Sequence, residues 1–251
     1  MIIQQIRNAT LKITYGGYTF LTDPWLQDKG TGFSAPVVKK EMEGIKSPLN
    51  DLPLSIDDIL KDVEFCLVTH IHPDHFKPDY LPKEMKIYVQ NKEDVLKVND
   101  KGLYNVHVIG DEGLNLSSLS ISKTPAKHGD NDALVLKMGE VSGYYIEGEK
   151  KSLYIAGDTV FYKAVEDVLR EKDPDVVVIN CCEATMPTGR LIMHIPDIDE
   201  VYKLSSHIII ASHLDNVNHA LLTRDDIKKH KNSHQMDRLL IPDDGEILVF
   251  D

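Results

Sequence analysis

Short apolar runs separated by turn residues open the chain and predict strands. The runs IIQQI, TLKITY and YTFLTD flank Gly16–Gly17, a pattern typical of strands joined by a tight turn. Residues 26–53 then carry repeated glycine and proline with no clean hydrophobic period. A loop of this length is uncommon inside a compact domain and is usually a lid or a binding loop. We therefore interpret residues 26–53 either as such a functional loop or as a mobile surface excursion.

The rest of the chain alternates between strand-like and helix-like segments. Strands are predicted over residues 63–69, 86–90, 106–109, 119–122, 133–138, 143–147, 152–156, 175–179, 207–211 and 245–250. Helices are predicted over 91–101, 160–171 and 197–205, and from Thr223, where Asp226 gives a start like a capping box. This order favours mixed sheets covered by outer helices. No linker interrupts it, so we expect a single domain over residues 1–251.

Composition and charge narrow the class of protein. The chain has 251 residues, a formal net charge of −12 and 42% hydrophobic residues. The hydrophobic fraction excludes a disordered chain, and the acidic total disfavours nucleic acid as a partner. No apolar run is long enough to span a membrane, and the polar N-terminus does not resemble a signal peptide. The three cysteines, Cys66, Cys181 and Cys182, make a poor disulfide framework, so we expect a reduced, cytoplasmic protein.

The segment with the clearest chemistry is Thr69-His70-Ile71-His72-Pro73-Asp74-His75-Phe76, directly after a predicted buried strand. Imidazole and carboxylate are side chains that borderline divalent cations prefer. In an extended stretch, His70 and His72 project to the same side and can reach one metal. A turn into a helix near Pro73 would carry Asp74 and His75 to an adjacent second site. The spacing therefore predicts a metal centre.

This H-x-H-x-D-H segment resembles the signature of the metallo-β-lactamase-fold hydrolase superfamily. Four further positions match the family pattern, each after an apolar strand: Asp23 in TDPW, His128 in AKHG, Asp158 in IAGDT and His213 in IASH. The resemblance extends over essentially the whole chain. It implies a four-layer αββα sandwich, in which two mixed β-sheets are covered by outer helices.

The same resemblance implies a role for each matching residue. The first metal would be bound by His70, His72 and His128, the second by Asp74, His75 and His213, and Asp158 would bridge the two. Asp23 would hold the ring N–H of one ligand imidazole, and Asp74 would also pass a proton during turnover. The cofactor is expected to be two divalent ions, Zn²⁺ first, with Mn²⁺ and Fe²⁺ as alternatives.

The implied reaction is hydrolysis in which a metal-bound hydroxide attacks a lactone, ester or amide of a small molecule, anionic molecules included. The chain is most similar to the small subgroup that includes L-ascorbate-6-phosphate lactonase, through TDPW and the Asp158 turn. Candidates for substrate contact are His219, His194, Glu183 and Arg224, with Arg190, Lys39 and Lys40 as further cations for an anion. His219 is also an alternative to His213 as the last ligand.

Two other functions use the same residues. One is a phosphodiesterase or nuclease with the same metal site, and the other is a non-catalytic metal-binding module. The partners we expect are a small-molecule substrate and, more weakly, further copies of the chain, with neither nucleic acid nor membrane.

Overall fold

The computed structural model describes residues Met1–Asp251 and contains two seven-stranded sheets. Both sheets are mixed. The first has the spatial order β16 (Ile247–Val249), β1 (Ile2–Arg7), β2 (Thr10–Tyr15), β3 (Tyr18–Thr22), β4 (Phe65–Leu67), β5 (Lys86–Val89) and β6 (Val106–Val108). The second has the order β15 (Leu239–Leu240), β14 (Ile208–Ser212), β11 (Val176–Asn180), β10 (Leu153–Ile155), β9 (Ser142–Glu147), β8 (Leu119–Pro125) and β7 (Leu114–Leu116). A short ribbon, β12 (Thr185–Met186) with β13 (Gly189–Arg190), stands apart from both.

Six α-helices accompany the sheets. They are α1 (Ile56–Leu60), α2 (Lys92–Asn99), α3 (Asp132–Met138), α4 (Lys163–Lys172), α5 (Ile195–Leu204) and α6 (Arg224–His234). As predicted, Thr223 and Asp226 form a capping box at the start of α6. The longest helix has 11 residues, and none combines the length and apolar character needed to cross a bilayer.

Three hydrophobic clusters define the layers. One lies between the sheets, where Phe20 of the first sheet and Ile146 of the second belong to the same cluster. The other two lie on the outer faces, where Val98 of α2 joins the cluster of the first sheet and Val165 of α4 joins that of the second. Burying each such side chain contributes about 1.5–3 kcal/mol. The predicted arrangement of two mixed sheets between outer helices is confirmed.

One predicted strand, residues 133–138, is wrong, because this segment forms helix α3. The Asn131 side chain accepts a hydrogen bond from Leu134 N and so caps the helix. Leu134 is buried whereas Leu136, on the other face, is 86% exposed. The segment is apolar enough to resemble a strand, but its cap and its single buried position suit a surface helix.

The N-terminal strands and residues 26–53 agree with the sequence pattern. Strands β1, β2 and β3 form an antiparallel meander, and β3 to β6 then run parallel. Residues 26–53, which we call the strap, contain no strand or α-helix and only one 3₁₀ turn, Lys40–Met42. Strands β7 and β15 are short additions that the pattern did not predict.

Candidate metal centre

The predicted ligands meet where strands of the two sheets end at a common edge. Asp23 follows β3 and residues 69–75 follow β4 in the first sheet, whereas His128, Asp158 and His213 follow β8, β10 and β14 in the second. Asp23 and the seven predicted ligands are buried, except for His72, which is half-buried. Residues from both sheets are therefore needed to complete the centre.

Three histidines form the first group of potential ligands. One nitrogen from each of His70, His72 and His128 lies within 4.8 Å of the other two. Their rings lie 4.4 to 5.4 Å apart between centroids. These are the residues that the sequence assigned to the first metal.

The second group combines Asp74, His75 and His213, whose ligand atoms also lie within 4.8 Å of one another. The Nε2 atoms of His75 and His213 are 3.2 Å apart, and Asp74 Oδ2 is 3.3 Å from His213 Nε2. Asp158 lies between the groups, with Oδ2 3.2 Å from His75 Nε2 and 3.6 Å from His128 Nε2. The structure places His213 in this group and His219 outside it.

The ring nitrogen of each histidine that faces away from the centre has a specific partner. His72 Nε2 donates to Met138 O at 3.0 Å, and His128 Nδ1 donates to Leu191 O at 3.1 Å. The remaining pairs are His70 Nδ1 with Thr69 Oγ1, His75 Nδ1 with Asp23 Oδ2, and His213 Nδ1 with Cys182 Sγ. Such partners fix the tautomer, so that the lone pair of the other nitrogen is free for a metal.

Asp23 orients ligands in both groups. Its carboxylate accepts from Thr69 N and Thr69 Oγ1, both at 2.7 Å, and from His75 Nδ1 at 2.8 Å. Because the Thr69 hydroxyl donates to Asp23, its oxygen is free to accept from His70 Nδ1 at 3.0 Å. Asp23 thus holds His75 directly and His70 through Thr69.

Burial and the carboxylates affect the two groups differently. Burial lowers the pKa of His70 and His72, and it lowers the pKa of His128 to about 4. Burial also disfavours a charge on His75, but the carboxylates of Asp158 and Asp23 outweigh it and raise the pKa of His75 to about 10. The pKa of His213 is likewise raised against its burial, chiefly by Asp158. The second group therefore favours positive charge at its centre.

These donors fit divalent cations. His70 Nε2 is buried without a hydrogen-bond partner, and two imidazole Nε2 atoms face each other in the second group. A buried polar atom without a partner costs about 1–3 kcal/mol, which a bound cation would remove. Imidazole nitrogen with carboxylate oxygen is a donor set of Zn²⁺, Mn²⁺ and Fe²⁺ alike.

Strained backbone accompanies two of these side chains. His213 and Asp23 adopt positive φ values of 64° and 44°, which cost non-glycine residues free energy. His213 N donates to Asn8 O at 3.0 Å, which helps to hold the strained conformation. Gly157, before Asp158, has φ +67°, and a Cβ there would lie 2.8 Å from Ser142 O. The turn that presents Asp158 therefore requires glycine.

Sequence reasoning missed three polar residues that support the centre. Asn180 Nδ2 donates to Asp158 Oδ1 at 2.7 Å, and Asn8 Nδ2 donates to the Asp74 carbonyl at 3.0 Å. The third is Cys182, to which the sequence analysis assigned no role at the metal centre and whose Sγ lies 3.5 Å from His213 Nδ1. The position of Asn180 at the end of a buried strand could have indicated a role at the centre, whereas no sequence pattern pointed to Asn8 or Cys182.

A cavity of about 180 Å³ opens over the two groups. Its floor includes His72, Asp74, His128 and Asp158. Its walls are Phe33 and Ala35 of the strap, together with Met138, Met186, Leu191, Pro73 and His219. His219 Nδ1 has no hydrogen-bond partner, and burial lowers the pKa of this ring, which favours its neutral form.

The other candidates for substrate contact do not line this cavity. Arg224 forms ion pairs with Asp215 at 2.8 Å and Asp244 at 2.7 Å. His194 lies beside Asp197 at the start of α5, and Glu183 sits in the turn after β11 with its N–H bonded to Met193 O. Of the four candidates, the structure brings only His219 to the cavity.

Cys182 gives a direct test of how His213 is held. The Cys182→Ala variant is expected to bind metal about 10–100-fold more weakly, because His213 Nδ1 loses the only side chain that contacts it. Metal affinity is measured by competition with a chromophoric chelator. Cys181→Ala is the matched control, since Cys181 is equally buried but its sulfur contacts only Ser212 O, at 4.0 Å. Equal affinities of the two variants would exclude an orienting role for Cys182.

Comparisons with other proteins match the chain along its whole length. Residues 3–213 match the model of the beta-lactamase superfamily domain. UPF0173 protein YddR of Bacillus subtilis (strain 168) is 38% identical over 257 residues, which cover 100% of both chains. A UPF0173 metal-dependent hydrolase of Enterococcus faecalis (strain ATCC 700802 / V583) is 28% identical over 143 residues, covering 53% of this chain and 60% of that protein.

A solved structure extends this similarity to three dimensions. The isothiocyanate hydrolase from Delia radicum gut bacteria superposes with a TM-score of 0.92 and 33% sequence identity. The match covers 100% of this chain and 99% of that one.

Proposed function

The chain belongs to the UPF0173 metal-dependent hydrolase family, with the metallo-β-lactamase fold, and from this premise we propose that it hydrolyses small neutral electrophiles, isothiocyanates foremost. That it is a metal-dependent hydrolase follows from the family and from the His/Asp cluster. The proposal concerns its substrate and its use of two ions. Of the substrates predicted from the sequence, lactones, esters and amides remain candidates only where the molecule is neutral.

The observation that carries this proposal is the lining of the cavity. Four of its walls are the apolar side chains Phe33, Met138, Met186 and Leu191, and no lysine or arginine lines it. A substrate whose anionic group lies against these walls, away from the ions, would lose its hydration there with no cationic side chain to compensate. A neutral molecule with an apolar substituent loses little on entry and gains from burial.

Three of the four cations expected to bind an anion, Arg190, Arg224 and Lys39, are engaged elsewhere, and the fourth, Lys40, does not line the cavity. Arg190 Nη1 donates to Asp197 Oδ2 at 2.6 Å and to Ile192 O at 2.7 Å. Lys39 Nζ donates to Leu221 O at 3.0 Å. Together with the ion pairs of Arg224, these contacts argue against a phosphorylated lactone and against a phosphodiester.

Isothiocyanates are favoured by the similarity to the isothiocyanate hydrolase, which is 33% identical in a match that covers 100% of this chain. Hydrolysis of R–N=C=S adds water across the C=N bond, with oxygen to the central carbon and a proton to nitrogen. The resulting thiocarbamic acid loses carbonyl sulfide by cleavage of its C–N bond and leaves the amine R–NH₂. The overall balance is one isothiocyanate and one water to one amine and one carbonyl sulfide.

The side chains of the centre can serve this reaction. The seven ligands would hold divalent ions, and the chemistry that such ions would supply when bound is activation of water and polarisation of the electrophile. Asp74 is ionised, since its hydrogen bond with His213 and the charge of His75 lower its pKa despite burial. It lies at the cavity floor, where a carboxylate oxygen can accept a proton from water and return it to the substrate nitrogen. Neutral His219 can donate an N–H to the substrate from the wall.

The test is a substrate panel with the Zn²⁺- or Mn²⁺-reconstituted protein. Alkyl and arylalkyl isothiocyanates are compared with a neutral lactone, a phosphorylated lactone and a phosphodiester, and amine and carbonyl sulfide are quantified. We expect isothiocyanate turnover to exceed phosphodiester turnover by about 100-fold or more. His72→Ala is the inactive control. Preference for either anionic substrate would contradict the proposal.

A further inference from the structure

The strap is held at its two ends by one buried guanidinium. Arg7 Nη2 donates to Trp25 O at 3.0 Å and to Gln27 O at 2.6 Å, at the start of the strap. Arg7 Nη1 donates to Asn50 O at 2.9 Å, near its end. Between these points the strap passes over the cavity, where Phe33 and Ala35 form part of the wall. The strap is thus an anchored part of the site.

The middle of the strap is held by one fully buried amide, that of Asn218. Its Oδ1 accepts from Ala35 N at 3.0 Å, and its Nδ2 donates to Ala35 O at 3.0 Å. The Asn218 amide therefore pairs with Ala35 as a neighbouring peptide group would in a sheet. Nδ2 also lies 3.2 Å from Ser34 Oγ and 3.3 Å from Met42 O.

His219, the residue after Asn218, lies at the cavity. His219 lines the wall beside Phe33, with the two rings 6.2 Å apart between centroids. Phe33 also packs against Trp25, at 6.1 Å. The position of the Phe33 ring relative to His219 consequently depends on the contact between Asn218 and Ala35.

We propose that Asn218 is a positioning residue that sets substrate specificity, by fixing Phe33 and Ala35 as the wall against which the substrate's organic substituent packs. The inference rests on the proposed function and deepens it, because it assigns the recognition of the substituent to the strap. Asn218 is not among the metal-ligating groups. Its loss affects the fit of the substituent, and the ligands keep their positions.

The experiment compares Asn218→Ala with Asn216→Ala. Asn216 is an equally buried amide in the same loop, but its side chain donates to Leu214 O and Asp244. Its one hydrogen bond with the strap, from Leu49 N, is accepted by its backbone carbonyl, which the substitution keeps. For each protein, KM and kcat are measured with isothiocyanates whose substituents increase from methyl to phenylethyl. Metal content is measured in parallel. Emission of Trp25, the single tryptophan, reports the strap independently of activity.

Asn218→Ala is expected to retain its metal and to raise KM by about tenfold for phenylethyl but little for methyl, with kcat nearly unchanged. Its Trp25 emission should shift to the red as water reaches the ring, whereas Asn216→Ala should match the wild type in emission and KM. Unchanged KM and emission in folded Asn218→Ala would overturn the inference, as would loss of metal. If Asn218→Ala does not fold, Phe33→Ala takes its place, and an unchanged KM series there would overturn the inference equally.

Failure of the proposed function would give a different set of results from failure of the inference about Asn218. If the wild type hydrolyses no isothiocyanate, the substrate assignment falls, while a red shift confined to Asn218→Ala still supports the anchor. The substituent series is then repeated with the neutral ester or lactone that the wild type accepts. If the wild type hydrolyses isothiocyanates but Asn218→Ala has unchanged KM values and emission, the inference about Asn218 is overturned and the proposed function stands.

Discussion

Replacing Asp158 with alanine is expected to reduce metal binding from two ions to at most one per chain and to abolish hydrolysis. Asp158 is the carboxylate between the two groups, with Oδ2 near both His75 and His128, and Oδ1 3.9 Å from His213 Nε2. Its charge is also the main cause that raises the pKa of the buried His75 and His213 imidazoles. Elemental analysis after reconstitution with Zn²⁺ gives the stoichiometry.

The control for this result is Asp94→Ala. Asp94 is also buried, but it accepts from Gln90 Nε2 and belongs to none of the ligand groups. It should keep the wild-type metal content, which separates the loss of a ligand from the general cost of removing a buried aspartate. Circular dichroism verifies folding. A folded Asp158→Ala protein that still binds two ions would disprove the bridge.

The second large effect is expected at Asp23, where two substitutions separate stability from metal binding. In Asp23→Ala, Thr69 N–H and His75 Nδ1 both lose their acceptor, and the buried N–H alone costs about 1–3 kcal/mol. We expect the free energy of unfolding of the metal-free protein to fall by about 3 kcal/mol, measured by urea denaturation. Metal affinity should fall about 10–100-fold as well.

Asp23→Asn should keep most of the stability and still bind metal poorly. Asparagine tolerates the positive φ, and its oxygen can still accept from Thr69 N. Its NH₂ group, however, would face His75 Nδ1 and stabilise the tautomer that carries the proton on Nε2. That nitrogen could then no longer ligate a metal. Wild-type metal affinity in Asp23→Asn would show that Asp23 does not set the tautomer of His75.

The ligands could be predicted because the H-x-H-x-D-H segment, together with three histidine or aspartate positions that follow apolar runs, resembles the pattern of the metallo-β-lactamase-fold superfamily. Strands of a sheet end along common edges, so polar residues placed directly after strands gather there whatever the details of packing. His70, His128, Asp158 and His213 all obey this rule. Segment 133–138 shows the limit of the same method, because its apolar residues suit a strand or a helix, and only the cap by Asn131 and the exposure of Leu136 distinguish the two.

The layered fold, the family and the seven residues gathered at the candidate metal centre could therefore be predicted from the sequence. The groups that hold those residues, and the walls that enclose the cavity above them, became visible only in the packed structure. Cys182 contacts His213 across 31 residues of chain, and Asn218 reaches Ala35 across 183. Local pattern reports the periodicity of a segment, whereas these contacts depend on how the two sheets and the strap pack together. A hydrogen bond between residues that are distant along the chain leaves no pattern in the sequence near either of them. For this reason the ligands could be predicted, whereas the residues that hold them in place could not.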